Sequence, residues 1–159
     1  MAGIELEIGN LLLQKKLTLG AVESATGGLI SHRITNNPGS SEYYLGSVTA
    51  YSNENKIKII GVKEETIVKY GSVSPQVAEE LAQGGRKLLG ADICISDTGI
   101  AGPGGATPDK PVGLFYIGLA HGTTTLNRRH VFSGNREQNK QEAAETALQW
   151  LKEYLTGLK

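Results

Sequence analysis

Residues 17–35 read Leu17-Thr18-Leu19-Gly20-Ala21-Val22-Glu23-Ser24-Ala25-Thr26-Gly27-Gly28-Leu29-Ile30-Ser31-His32-Arg33-Ile34-Thr35, and two periodicities meet inside this stretch. Leu17–Val22 is short, apolar and β-tolerant, the pattern of a buried strand, whereas Thr26–Thr35 sets Leu29, Ile30, Arg33 and Ile34 at helical spacing. A buried strand that runs directly into a helix is a building unit of α/β domains. Upstream, Ile4, Ile8, Leu11 and Leu12 share a helical face, so residues 4–15 predict an opening helix.

Downstream, Asn36-Asn37-Pro38-Gly39 breaks the chain. Tyr43–Tyr51 is aromatic and β-branched and predicts a strand. Ser52 is placed to N-cap a short helix that carries Lys56, Ile57 and Ile60 and stops at Gly61. Lys63–Tyr70 predicts another short helix, ended by Gly71. Ser74-Pro75 then gives a cap followed by proline at the first helical position, with Val77, Ala78, Leu81, Ala82, Leu88 and Leu89 as the core face up to Gly90. Ala91–Asp97 alternates as a strand. Val112–Ala120 and Thr125–Phe132 predict a hairpin about Gly122-Thr123, and the chain closes with a helix from Asn135 or Arg136 to Leu155, burying Ala144, Ala147, Leu148, Leu151 and Leu155. Strands alternate with helices early and a hairpin follows, which predicts an α/β fold: three-layer α/β/α with a mixed β-sheet, in a single domain over residues 1–159.

Composition removes several classes of function. Lys+Arg and Asp+Glu are 16 each, so the chain lacks the basic excess of a general nucleic-acid binder. One cysteine, Cys94, permits no internal disulfide. No apolar run approaches a membrane span, and Met1–Glu7 has no basic segment followed by an apolar one, so the expectation is a cytoplasmic protein with no membrane and no nucleic-acid partner. No His/Cys/Asp/Glu cluster has metal-ligand spacing, so no metal is expected. Glycine is the anomaly, 21 of 159 residues against a usual ~7%. Many of these glycines fall in four segments that could carry chemistry.

The first segment is Glu23-Ser24-Ala25-Thr26-Gly27-Gly28, at the strand-to-helix junction. There a serine hydroxyl can act as a nucleophile beside backbone N–H donors, or Ser24 or Thr26 can simply cap the helix. The second is Tyr51-Ser52-Asn53-Glu54-Asn55-Lys56. None of His32, His121 and His130 stands in a Ser-His-Asp context, so a serine nucleophile would need a lysine whose pKa is lowered by burial or by the helix dipole; the alternative is a solvated lysine. The third is Asp97-Thr98-Gly99-Ile100-Ala101-Gly102-Pro103-Gly104-Gly105, leaving a strand's carboxyl end, either a ligand cradle or a plain connection. It is neither a Walker A loop nor a dinucleotide fingerprint. The fourth is Phe132-Ser133-Gly134-Asn135-Arg136. Ser133 or Asn135 can cap the last helix, and Arg136, unfavourable beside a helix N-terminus, could be an anion ligand or pair with a carboxylate such as Glu137.

Together with Pro38-Gly39-Ser40-Ser41, Gly71-Ser72-Val73-Ser74 and Lys110-Pro111-Val112-Gly113, these segments in this order resemble the CinA C-terminal domain family, over about residues 5–155. The enzymatic members of that family are nicotinamide-nucleotide amidases. The resemblance implies a stand-alone hydrolase that converts nicotinamide mononucleotide to nicotinic acid mononucleotide and ammonia without a cofactor. It places the nucleophile on Ser24, the base on Lys56 and the family's catalytic tyrosine on Tyr51, to orient Lys56 or relay its proton. Substrate contacts fall on Thr26, Gly27, Gly28, Thr98, Gly99, Ala101, Gly102 and Arg136, with the oxyanion held near Thr26–Gly28. A homo-oligomer is implied as well. Two positions depart from the family pattern: Ala25 stands where cysteine is usual, and Asn135 where aspartate is frequent. They keep open a non-catalytic nucleotide-binding or partner-binding protein that retains the pocket, and the same dyad could also serve another small carboxamide.

Overall fold

The computed structural model describes residues 3–159. Helix α1 spans Ile4–Lys15, strand β1 Leu19–Glu23 and helix α2 Leu29–Thr35. A 3-10 turn at Ser40–Glu42 leads into β2, Tyr44–Thr49. The short helix α3, Asn53–Asn55, runs into a π-helical turn, Lys56–Ile60. Helices α4 (Glu64–Tyr70) and α5 (Pro75–Leu89) follow, then β3 (Ile93–Gly99), β4 (Leu114–His121), β5 (Thr124–Val131) and α6 (Arg136–Gly157).

The sheet has the order β2-β1-β3-β4-β5. β1 pairs parallel with β2 and β3, while β3–β4 and β4–β5 are antiparallel, so the sheet is mixed as the sequence predicts. Helices cover both faces. On one face Ile8, Leu12, Ile30, Leu148 and Leu151 of α1, α2 and α6 pack on Leu19, Ala21, Ile93 and Ile95. On the other, Val77 and Leu81 of α5 join Val22, Cys94, Ile60 and Val62. No helix among the described residues is long and apolar enough to cross a membrane.

Local signals act where the sequence places them. Ser52 Oγ accepts from Asn55 N (3.1 Å), and Ser74 Oγ accepts from Val77 N (3.2 Å) with Pro75 next. Gly61 and Gly90 close their helices in the left-handed region.

Two expectations change. Helix α2 starts at Leu29 rather than Thr26, because Gly27 and Gly28 take φ of +63° and +104° and hold Thr26–Gly28 in a turn. On α5, Leu88 is 52% exposed, so it is not part of the core face, and Leu89 is only half-buried. Gly85 takes the inner position instead. A Cβ there would lie 2.2 Å from Val22 Cγ2 and 2.8 Å from Cys94 Sγ, so the helix sits directly on β1 and β3.

Candidate active site

The carboxyl ends of the parallel strands β1 and β3 lie side by side, with Val22 opposite Ser96. This is the edge at which open α/β sheets bind ligands. Glu23 ends β1 and Ser24 begins the turn after it. The Ser24 amide donates to Asp97 Oδ1 (3.0 Å) and the Thr26 amide to Asp97 Oδ2 (3.1 Å), so a side chain of β3 fixes the turn that carries the serine.

The Glu23 carboxylate, 0% exposed, turns back to the start of α2. It accepts from Gly28 N (3.2 Å), Ile30 N (2.8 Å) and Ser31 N (3.0 Å). The cap of α2 is therefore Glu23, not Ser24 or Thr26, and Ser24 is left to line a cavity. The backbone donors expected for an oxyanion are also spent. Thr26 N goes to Asp97, Gly27 N to Ser24 O (3.1 Å) and Gly28 N to Glu23. The Ala25 amide, next to the serine, has no partner among the described residues.

Lys56 reaches the same place from across the sheet edge. Ser52 caps α3, the chain winds into the π-helical turn, and the Lys56 side chain is drawn inside at 2% exposure. Its Nζ donates to the Tyr51 carbonyl oxygen at 2.9 Å. Burial lowers its pKa below the ordinary 10.5, opposed by the negative field of Asp97. A lysine inside the protein, rather than a solvated one, is what a base would need.

Ser24, Ala25, Tyr51, Asn53, Lys56, Ser72, Val73, Thr98 and Gly99 enclose a cavity of about 180 Å³. Ser24 and Lys56 share it without bonding to each other, the lysine being tied to Tyr51. Thr98 Oγ1 donates to Ser72 O (2.7 Å) and fixes that wall. Beyond Tyr51 and Gly99 lies a second space of about 270 Å³, which adds Ala101, Gly102, Gly104, Gly105 and Arg136. A third, of about 490 Å³, runs from Gly102 and Arg136 to Pro103, Val112 and Asn135. The three spaces adjoin along a cleft at this edge, small and polar at Ser24 and larger at Arg136.

Arg136 closes the cleft's side. Its Nη1 donates to Gly102 O (2.8 Å) and its Nη2 to the Tyr51 hydroxyl (3.0 Å), and among the described residues it pairs with neither Glu137 nor another carboxylate. Tyr51 thus holds Lys56 through its backbone carbonyl while its ring, 60% exposed, belongs to the arginine. Asn135 caps α6 with a full capping box: its side chain accepts from Gln138 N (2.9 Å), and Gln138 Oε1 accepts from Asn135 N (2.9 Å). Asparagine serves this cap as well as aspartate would.

The structure therefore brings together Ser24, Lys56, Tyr51, Thr98, Gly99, Ala101, Gly102 and Arg136. It does not bring in Gly27 or Gly28. With Thr26 they border a separate depression formed with His32 and Lys140, and the buried Thr26 hydroxyl points to carboxylates.

Sequence reading passes over Asp97 and Glu23 as site-building carboxylates. Asp97 closes the apolar run Ile93-Cys94-Ile95-Ser96, and a charge at that point was the available signal. It also passes over Asn139, 0% exposed, whose Nδ2 donates to Ala101 O (3.0 Å) while its Oδ1 accepts from Gly134 N (2.9 Å), tying the glycine loop to α6. Cys94 is buried on β3 with its thiol pushed up to about 12, so it is inert.

The sequence matches the family model of the CinA C-terminal domain over residues 1–155. It is 53% identical over 137 residues to a CinA-like protein of Syntrophomonas wolfei, covering 86% of this chain and 33% of that one. To a CinA-like protein of Chloroherpeton thalassium it is 46% identical over 158 residues, covering 97% and 38%. The chain thus spans about a third of the length of these curated relatives. Among solved structures, the competence damage-inducible protein A of Klebsiella pneumoniae superposes with a TM-score of 0.95 at 28% identity, covering 98% of this chain and 97% of that one. The competence/damage inducible protein CihA of Agrobacterium tumefaciens superposes with a TM-score of 0.87 at 31% identity, covering 98% of each chain.

Proposed function

The chain belongs to the CinA C-terminal domain family, and from that premise we propose that it is an amidase that hydrolyses the carboxamide of nicotinamide mononucleotide to nicotinic acid mononucleotide and ammonia. The observation that carries the reading is the shared cavity of Ser24 and a buried Lys56 whose pKa is lowered.

The neutral Lys56 amine keeps one N–H on the Tyr51 carbonyl, which leaves its lone pair for the Ser24 proton. The Ser24 oxygen then attacks the carboxamide carbon. The unpartnered Ala25 amide is the nearest donor for the oxyanion, as the residue after the nucleophile is in other serine hydrolases. The lysine returns its proton to the departing nitrogen, ammonia leaves, and water cleaves the acyl-enzyme by the same route. The cleft's shape suits a substrate with a small reacting group and a larger anionic remainder. The carboxamide enters the narrow end, and the phosphoribosyl part extends along Gly99–Gly102 to the Arg136 guanidinium.

Ammonia release from nicotinamide mononucleotide, measured for the wild type and for Ser24→Ala, tests the proposal. Turnover in the wild type and its loss in the variant are expected. Full activity in the variant removes Ser24 as nucleophile, and saturable nucleotide binding without turnover in the wild type replaces the amidase with a binding protein.

A further inference from the structure

Glu23, Thr26 and Asp97 make a buried set whose contacts need more protons than an ordinary ionisation state supplies. Thr26 Oγ1 lies 2.7 Å from Glu23 Oε1 and 2.5 Å from Asp97 Oδ1, and none of the three residues is more than 1% exposed. A hydroxyl carries one proton. With both carboxyls ionised, one of these two contacts would set lone pair against lone pair among fully buried groups, where an unmade hydrogen bond is most costly. A proton on one carboxyl resolves the conflict. Glu23 has an anion's surroundings, with backbone amides from Gly28, Ile30 and Ser31. Asp97 has two amides, from Ser24 and Thr26.

We propose that Asp97 is held as a neutral carboxylic acid which donates to Thr26 Oγ1, that Thr26 in turn donates to the Glu23 carboxylate, and that this chain of bonds is the positioning device of the Ser24 turn. Every contact is then satisfied. Asp97 Oδ1 gives its proton to Thr26 and keeps a lone pair for the Ser24 amide, Oδ2 accepts from Thr26 N, and the Thr26 proton goes to Glu23 Oε1.

The charged groups that face Asp97 are Glu23 from β1 and Lys56 from the π-helical turn. β4 sets Ile117 opposite it, and α5, on the other face, meets Ser96 Oγ instead. Burial pushes the Asp97 carboxyl up to about 6 even with the Thr26 hydroxyl donating to it. Once that hydroxyl donates to Glu23, the anion loses a donor and the carboxyl rises further. A neutral Asp97 also offers Lys56 no negative partner, which favours the free amine. That last consequence rests on the Ser24–Lys56 reading; the place of the proton does not.

The chain has three aspartates, and Asp92 and Asp109 are exposed. Carboxyl-13C aspartate labelling of the full chain therefore gives three NMR signals that can be followed through a pH titration. The wild type and Thr26→Ser are expected to keep one signal in its protonated position at neutral pH. In Thr26→Val the neutral acid loses its acceptor, and that signal ionises at lower pH. Asp97→Asn assigns the signal by removing it; if that variant does not fold, the Thr26 pair assigns it.

Three ionised signals at neutral pH in the wild type overturn the proposal. A protonated signal that Thr26→Val leaves unmoved overturns the route through Thr26. In amidase assays Thr26→Val should shift the acid limb of kcat/KM to higher pH, and Thr26→Ser should restore it. An unmoved limb breaks the link to Lys56. Absence of any amide turnover ends the amidase reading and leaves the NMR result standing.

Discussion

The Arg136 guanidinium donates to the Tyr51 hydroxyl at 3.0 Å, joining residues 85 positions apart. One end of this pair reaches the glycine loop through Gly102 O, and the other reaches Lys56 through the Tyr51 carbonyl. The wide mouth of the cleft and its reactive end are thereby tied by three hydrogen bonds.

For the amidase, Arg136→Ala should raise KM for nicotinamide mononucleotide about 10- to 100-fold, the scale of a lost charge-assisted hydrogen bond. The dephosphorylated nucleoside should lose far less. Steady-state kinetics on the two substrates check this, and equal losses would place the phosphate elsewhere.

Ser24→Ala and Lys56→Met should each lower kcat by at least about a thousandfold, and the double variant should be no worse than either, because the two groups act in one step. Single-turnover ammonia release measures all three. Additive losses would show that serine and lysine act separately.

The pH dependence has a definite sign. With Lys56 as base, kcat/KM rises with pH through a pKa below 10.5, and Lys56→Met abolishes that limb. Stability carries two opposing contributions. Asp97 is raised from 3.8 to about 6, so the folded chain holds a proton that the unfolded chain has released. This stabilisation is complete below 3.8 and lost as pH rises through the folded value, which lies above about 6 once Thr26 donates to Glu23. Lys56 is lowered, so its contribution is complete above 10.5 and lost as pH falls through its folded value. Urea midpoints against pH for the wild type and Asp97→Asn should differ in slope from 3.8 upward, through about 6 and into the neutral range.

Gly85→Ala inserts a methyl group 2.2 Å from Val22 Cγ2. Overpacking of this kind costs about 1–3 kcal/mol. A lower urea midpoint at unchanged m checks it.

Asn139→Ala leaves Ala101 O and Gly134 N without their partner. Stranding these groups costs about 1–3 kcal/mol each where water cannot reach. Hydrogen exchange should quicken at Gly134, and KM should rise more than kcat falls, since the glycine loop lines the substrate's path rather than the reacting carbon.

Much of the architecture was legible because it is local. Ser52, Ser74 and Asn135 cap the helices they precede, since a short polar side chain at that position bonds an amide two or three residues on. The helix boundary at Leu29 was not legible, because it depends on two glycines taking positive φ under the hold of Glu23. The exposure of Leu88 has a related reason. Periodicity marks it as an inward residue, but the close approach of α5 at Gly85 sets which face of the helix meets the sheet.

The site divides along the same line. The sequence by itself determined the α/β class, the place of Ser24 just after a strand, the glycine loop at a strand's carboxyl end and the family resemblance, all of which live in spacing and residue type. Only the tertiary structure decided that Lys56 is buried and lines one cavity with Ser24, that Tyr51 holds it through a backbone carbonyl, that the Thr26–Gly28 amides are already spent, and that Asp97 and Glu23 support the turn from within. Each of these is a contact between segments distant in the chain or a matter of which lone pair a proton occupies. Such contacts are set by how β1 and β3 align and how deeply water is excluded, and no local pattern of residues encodes either.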